Sequence, residues 1–322
     1  MGSTALVGMR DGTIYNVDLA SGNKQAIMES HSDGEVWGLS IPNDDLVLTT
    51  GDDNQIKVWS TKQRKCIQRG AVSSTARSLK RRGASSLTTF PDSQCARAIA
   101  YNPVNGHVAI GHNDGTLSIR AGINNLDRVI VTNTNSKEWI EAMQYSPDGQ
   151  RLAVGSHDNK IYIYDSTSYG LQGTCSKHNS FIVSLDWSLD GSYIRSVCGA
   201  HELLFFNALT CIQDPSGASN TVGTEWATNS AKFGWLVDGV FPTGTDGTHI
   251  NHVAFSADRN LIATGDDYGL VNVFRNPCRV GHKPISLRGH SEHVVRVGFN
   301  SDDSYLFSVG GYDQTLMQWK RV

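Results

Sequence analysis

Three residues near the C-terminal end are the types that could act together chemically. His290, Ser308 and Asp313 are a histidine, a hydroxyl and a carboxylate, the set used in acyl transfer, where the histidine takes the serine proton and the carboxylate orients the imidazole. The same surroundings recur along the chain. "VGGYDQTLMQW" (309–319) sets Asp313 six residues before Trp319, "TTGDDNQIKVW" (49–59) sets Asp53 six before Trp59, and "VGSHDNKIYIY" (154–164) sets Asp158 six before Tyr164. A catalytic triad is needed once, so a recurring set is architectural. A turn carboxylate can accept backbone N–H bonds and a proton from a histidine in the preceding loop, while the indole N–H needs its own partner. On this reading His31, Asp53, Trp59, Asp158, His178, Asp267, His290, Asp313 and Trp319 staple sheets together, and no catalytic residue is expected.

Other chemistry finds little support. The six cysteines form no C-x-x-C pair and no Cys/His ligand spacing, so they read as free thiols and no metal is expected. There is no P-loop, G-x-S-x-G, H-E-x-x-H or EF-hand loop, and no S-x-D-x-G-x-x-W sialidase box. "GTDGT" (244–248) lacks the lysine and helix of a phosphate loop. A net charge of −3 and one basic cluster without interleaved aromatics argue against nucleic acid. No stretch approaches eighteen apolar residues, so no membrane span is expected. No cofactor and no small-molecule substrate are expected either.

These residues need elements to position them. Turn aspartates occur at Asp11, Asp53, Asp114, Asp158, Asp267 and Asp313, with a degenerate copy near Ala200. The short intervals run from 42 to 46 residues, and two long ones are 61 and 67. The short ones match the roughly 40–45 residues of a four-stranded propeller blade, and the long ones imply insertions. Each unit alternates apolar and polar residues, as in "FIVSLDW" (181–187), and turns at Asp, Gly and Asn, as in "SPDGQ" (146–150). Period two with such junctions predicts strands and tight hairpins. The expectation is an all-β, seven-bladed propeller over residues 1–322, with units near 1–30, 31–92, 93–136, 137–176, 177–220, 221–288 and 289–322. The first and last units read as three strands and the others as four, which leaves an open seam and an edge suited to pairing with another chain.

"RGHSEHVVRVGFNSDDSYLFSVGGYDQTLMQWK" resembles a WD repeat, and "WATNSAKFGWLVDGVFPTGTDGTHIN" (226–251) resembles the signature insertion of the echinoderm microtubule-associated protein-like family. The likeness covers nearly the whole chain and is to the second of that family's two propellers. It implies a fragment of a longer protein, a non-enzymatic interaction module, tubulin or microtubules as partner, and a cytoplasmic, cytoskeletal location. A generic WD scaffold for peptides of unrelated partners is the alternative. The WD pattern also maps the partner-binding face: Arg10, Glu35, Trp37, Asp52, Cys95, Arg97, Asn113, Trp139, Glu141, His157, Phe181, Val183, His249, Asn251, Asp266, His293 and Tyr312. Trp37 and Trp139 either line that face or pack inward between blades. In "SVCGAHELLFF" (196–206), Ala200 and Phe206 replace the aspartate and tryptophan, so that blade is expected to lack the polar staple. The loop 71–86, with Arg77, Lys80, Arg81 and Arg82, reads as a mobile surface excursion or as an electrostatic contact for an acidic surface.

Overall fold

The computed structural model describes residues 3–9, 12–72, 94–241 and 248–322. Arg10 and the basic residues Arg77, Lys80, Arg81 and Arg82 lie outside them. The described residues form seven antiparallel sheets. The first contains β1 (Thr4–Gly8), β2 (Ile14–Asp18) and β3 (Lys24–Met28), and the second β4 (Val36–Asn43), β5 (Leu46–Gly51), β6 (Gln55–Ser60) and β7 (Lys65–Ala71). The third contains β8 (Ala96–Tyr101), β9 (Val108–His112), β10 (Leu117–Arg120) and β11 (Val129–Asn133). The fourth contains β12 (Ile140–Tyr145), β13 (Arg151–Ser156), β14 (Ile161–Asp165) and β15 (Leu171–Cys175), and the fifth β16 (Ile182–Trp187), β17 (Tyr193–Cys198) and β18 (Leu203–Asn207). The sixth contains β19 (Ile250–Phe255), β20 (Leu261–Asp266), β21 (Leu270–Arg275) and β22 (Ile285–Arg288), and the seventh β23 (Val294–Phe299), β24 (Tyr305–Gly310) and β25 (Leu316–Lys320).

Burial follows position in the sheet. The second strands, such as β13 (RLAVGS), are covered on both faces and read as nearly continuous apolar runs, whereas the outer β11 (VIVTN) is half-exposed. Large side chains such as Trp187, Tyr164 and Phe206 fill the space between neighbouring sheets. Each such fully buried apolar side chain contributes about 1.5–3 kcal/mol.

The fifth sheet has three strands where the sequence suggests four. After β18 the chain makes one bridge, Phe206 to Gln213, and then reaches Asp214 and Pro215. Proline has no N–H to continue a ladder, so the fourth strand ends before it begins.

Around the ring, β4, β8, β12 and β16 lie side by side, β19 lies against β23, and β23 against β4. Between β16 and β19 the wall is made by the insertion instead of a strand. Ser188 bridges Trp226, Ala227 N–H donates to the Trp187 carbonyl at 2.9 Å, and Ala227–Ser230 line a central channel of about 440 Å³ with the six innermost strands. The first sheet contributes nothing to that lining. It stands at the outer seam between the seventh and second sheets, where Ile27 and Met28 face Leu316 and Trp59 across a groove.

A buried carboxylate clamps the insertion. Asp186 accepts from Thr228 Oγ1 at 2.6 Å, Ser230 N at 2.7 Å, Ser230 Oγ at 2.9 Å, Ala231 N at 3.1 Å and Arg195 Nε at 3.0 Å. The Arg195 guanidinium in turn lies 4.3 Å from the Trp226 ring centre. A buried charge persists only with such compensation.

Candidate functional site at the ring mouth

The mouth is built by a backbone irregularity repeated six times. In each innermost strand the pairing register slips between the first and third residues, at Val36/Gly38, Ala96/Ala98, Ile140/Ala142, Ile182/Ser184, Ile250/His252 and Val294/Arg296. The skipped residues are Trp37, Arg97, Glu141, Val183, Asn251 and Val295. A bulge leaves one residue unpaired and re-aims its side chain. A second mouth position precedes the strand, and its carbonyl accepts from the backbone N–H of a third. These pairs are Glu35 with Asp52 at 2.9 Å, Cys95 with Asn113 at 3.1 Å, Trp139 with His157 at 2.8 Å, Phe181 with Gly199 at 2.8 Å, His249 with Asp267 at 3.0 Å and His293 with Gly311 at 3.0 Å.

On one half of the mouth these positions make a continuous ladder. The Arg97 guanidinium carbon lies 4.1 Å from the Trp37 ring centre and 4.4 Å from that of Trp139. Trp139 stacks on His157 with centroids 5.3 Å apart, and His157 on Phe181 at 4.6 Å. Asp52 fixes the near end, accepting from Trp37 Nε1 at 3.1 Å and from Glu35 N at 3.1 Å, with Arg97 Nη2 at 3.6 Å. At the far end Gly199 leaves room for the Phe181 ring, because a Cβ there would stand 2.5 Å from it. Trp37 is therefore inside the ladder, while Trp139 (39% exposed) and Phe181 (40% exposed) keep open surface.

The other half is more polar. His293 Nε2 lies 3.1 Å from Glu35 Oε2 and its ring meets Tyr312 edge-on, and His249 contacts Tyr268. The neighbouring Glu35 carboxylate raises the Tyr312 phenol above its ordinary value. Asn251 Nδ2 donates to Asp267 Oδ1 at 2.9 Å and to the Val294 carbonyl at 3.1 Å. Deeper in the channel, Arg296 reaches across to the Glu141 carbonyl at 2.6 Å, the Glu141 carboxylate at 3.2 Å and the Trp37 carbonyl at 3.4 Å. Burial works to raise the Glu141 carboxyl, but His157, Arg296 and Arg97 outweigh it and hold the carboxyl below its usual range.

Two assignments to the face shift by one residue. Asp266 is buried, and it rather than Asp267 is the turn carboxylate of the sixth sheet. It accepts from Tyr268 N at 3.0 Å, Leu270 N at 2.9 Å and Asn272 Nδ2 at 3.0 Å, while Asp267 is exposed at the mouth. "GDDYG" carries two adjacent aspartates, and Tyr268 holds the place before the left-handed Gly269 that Asp53 and Asp114 hold before Asn54 and Gly115. In the seventh sheet the turn has one extra residue, so Gly311 is the third mouth position and Tyr312 stands just outside it.

The staples differ from blade to blade. In the second sheet His31 Nδ1 lies 3.0 Å from Asp53, His31 Nε2 lies 2.8 Å from Thr49 Oγ1, and Trp59 Nε1 donates to that hydroxyl at 2.7 Å. In the seventh, His290 Nδ1 lies 2.8 Å from Asp313, Nε2 lies 2.7 Å from Ser308 Oγ, and Trp319 Nε1 donates to Ser308 at 2.8 Å. Ser308 is thus the hub between ring and indole. Asp158 has no histidine partner, because Ser136 stands where the second and seventh sheets have histidine. Asp158 instead accepts from Tyr162 Oη at 2.6 Å, and Ser136 bonds Ser156 at 2.7 Å. The fifth sheet keeps polar groups at its staple position after all: His178 Nε2 lies 2.7 Å from Ser196, and Glu202, two residues past Ala200, stands 3.5 Å from Nδ1.

The hydroxyl hub Thr49, the bond from Ser308 to the Trp319 indole and the channel guanidinium of Arg296 escape a reading of the sequence. One signal was available for Arg296. The equivalent residues after each bulge are Gly38, Ala98, Ala142, Ser184 and His252, so a long cation there has nowhere to go but across the channel.

Comparison with known proteins agrees with this architecture. The chain is 59% identical over 321 residues to the ciliary WD repeat-containing protein ctxp80 of Euplotoides octocarinatus, covering 99% of this chain and 45% of that protein. It is 37% identical over 322 residues to the 77 kDa echinoderm microtubule-associated protein of Strongylocentrotus purpuratus, covering 97% of this chain and 43% of that one. The chain therefore spans less than half the length of either relative. A chain in a crystal structure of the mitotic checkpoint complex shares the fold, with a TM-score of 0.52 at 14% identity, over 99% of this chain and 86% of that one. The family model described as the echinoderm microtubule-associated protein second beta-propeller matches residues 36–321, and the chain belongs to that family.

Proposed function

We propose that this chain is a non-enzymatic docking module of a microtubule-associated cytoskeletal protein, and that the ring mouth is its docking surface. The observation that carries the reading is the Trp37–Arg97–Trp139–His157–Phe181 ladder. Large rings pre-set by stacking and by Asp52 offer contact area without losing side-chain freedom on binding, which is how interface hot spots are made. The family names of the relatives point to tubulin or microtubules as the protein bound, and to the cytoskeleton as its location. The triad-like residues support the non-enzymatic reading, since His290 and Ser308 bond inside the seventh sheet, where both are buried. Among the described residues no helix is long and apolar enough to cross a membrane.

Microtubule co-sedimentation tests the reading. The chain is expected to pellet with microtubules, and Trp139→Ala with Phe181→Ala to release it while the thermal transition stays in place. Pelleting unchanged by the double substitution would move the contact elsewhere on the ring, and no pelleting by the parent chain would favour peptides of another protein.

A further inference from the structure

The fifth sheet holds three metal-ligand types at a point where complete staples hold two hydrogen-bonding groups. His178 Nδ1, Cys198 Sγ and a Glu202 carboxylate oxygen all lie within 4.8 Å of one another, the one such group among the described residues. Cys198 occupies the register position of Gly51 and Gly310 in the two complete staples. Glycine is needed there: a Cβ on Gly310 would stand 2.0 Å from Asp313 Oδ1 and 2.5 Å from His290 Nδ1. In the fifth sheet a thiol enters that space, the aspartate is replaced by Ala200, and the carboxylate arrives from Glu202, brought back by a turn through left-handed His201. The ring-to-carboxylate distance opens to 3.5 Å, and the buried Nδ1 of His178 makes no hydrogen bond.

Each donor is held by a neighbour. Ser196 Oγ lies 2.7 Å from His178 Nε2, so when Nε2 carries the proton the Nδ1 lone pair points at the other two donors. Asn179 donates to Glu202 through its backbone N–H at 3.0 Å and through its side-chain amide. Cys198 Sγ is 3.2 Å from Glu202 Oε2, and the Glu202 side chain is 28% exposed, which leaves a route from solvent.

We propose that His178, Cys198 and Glu202 form a Zn2+ site, a metal-bridged version of the staple used by the second and seventh sheets. Nitrogen, thiolate and carboxylate donors suit this ion, which takes three protein ligands and a water in tetrahedral geometry. Binding breaks the Cys198 S–H bond and forms Zn–S, and the proton passes to solvent. No electron is transferred. The site lies beneath the end of the ladder: Gly199, next to Cys198, carries Phe181, and Asn179 is two residues before it. It does not depend on what the mouth binds.

The test is titration of the chelator-stripped 322-residue chain with Zn2+ alone, and with Co2+ as a spectroscopic stand-in. One equivalent of metal is expected to bind, Co2+ giving a thiolate charge-transfer band with tetrahedral visible absorption. Cys198→Ser should abolish that band and weaken Zn2+ by more than about 10-fold, judged against the 10–100-fold cost of losing even an outer-shell partner. Glu202→Gln should weaken Zn2+ comparably and serves if Cys198→Ser does not fold, while Asp53→Asn should leave the titration unchanged. Absence of one-to-one binding, or a titration unmoved in Cys198→Ser or in Glu202→Gln, overturns the proposal.

Discussion

The outer staples and the ring mouth are made by the same repeat and use it in opposite ways. In the second and seventh sheets the staple is chemically the same: an imidazole between a turn carboxylate and a hydroxyl that also takes the indole proton. At the mouth the backbone repeats and the side chains do not, so six equivalent bulges present Trp, Arg, Glu, Val, Asn and Val. Residues that hold a blade answer to a demand inside that blade, and where the staple is complete it takes the same chemical form. Residues that meet a partner answer to one surface and so diverge from blade to blade. Substitutions in the two regions should therefore separate stability from binding.

The largest stability loss is expected at the clamp on the insertion. Asp186→Ala removes a fully buried carboxylate, takes the partner of Arg195 Nε and leaves the backbone N–H groups of Ser230 and Ala231 without an acceptor. A loss of about 3–5 kcal/mol is expected in chemical denaturation, as for a broken buried pair. Next comes Asp313→Ala, which takes the acceptor from His290, Ser291 N and Thr315 N and should cost about 1–3 kcal/mol. Asp158→Ala should cost less, because no histidine leans on it. Asp266→Ala should cost about 1–2 kcal/mol for its stranded donors, while the exposed Asp267→Ala stays within about 0.5 kcal/mol. Equal effects of that pair would undo the one-residue shift in the sixth sheet.

Acid should weaken the blades before it titrates their carboxylates. Burial lowers His112 from 6.5 to about 4, so the folded state excludes a proton that the unfolded chain binds. The stability this gives is complete above pH 6.5 and is lost as pH falls toward 4. His112→Gln, which can keep a bond to Ser118, should flatten that part of the profile of melting temperature against pH.

How far the sequence reveals these regions follows from what each depends on. Turn residues and period-two runs are local, so the seven sheets and the His31–Asp53–Trp59 and His290–Asp313–Trp319 sets are readable from spacing. The Asp266/Asp267 choice turns on which residue takes the left-handed place, and two adjacent aspartates hide it. The place of the insertion in the channel wall depends on Asp186 meeting Ser230, 44 residues away, which no repeat announces. The ladder depends on bulges at Trp37 and Arg97, and short strands do not reveal which residue is the extra one. Trp37, Arg97, Trp139, His157 and Phe181 could each be placed near one face, but not in contact. The Cys198 site is hidden for a similar reason, since its histidine is 20 residues upstream and its carboxylate comes from a turn position that usually holds another residue.

The most direct test of the mouth as the docking surface is a microtubule-binding isotherm for Trp139→Ala, measured beside Asp158→Ala as a variant altered only in a staple. Trp139 is a half-open ring held by Arg97 on one side and His157 on the other. Its removal should weaken binding about 10- to 100-fold, the scale of a hot-spot residue, with little change in melting temperature. Asp158→Ala should bind like the parent chain. Parent-like binding by Trp139→Ala, or a loss shared equally by both variants, would contradict the account.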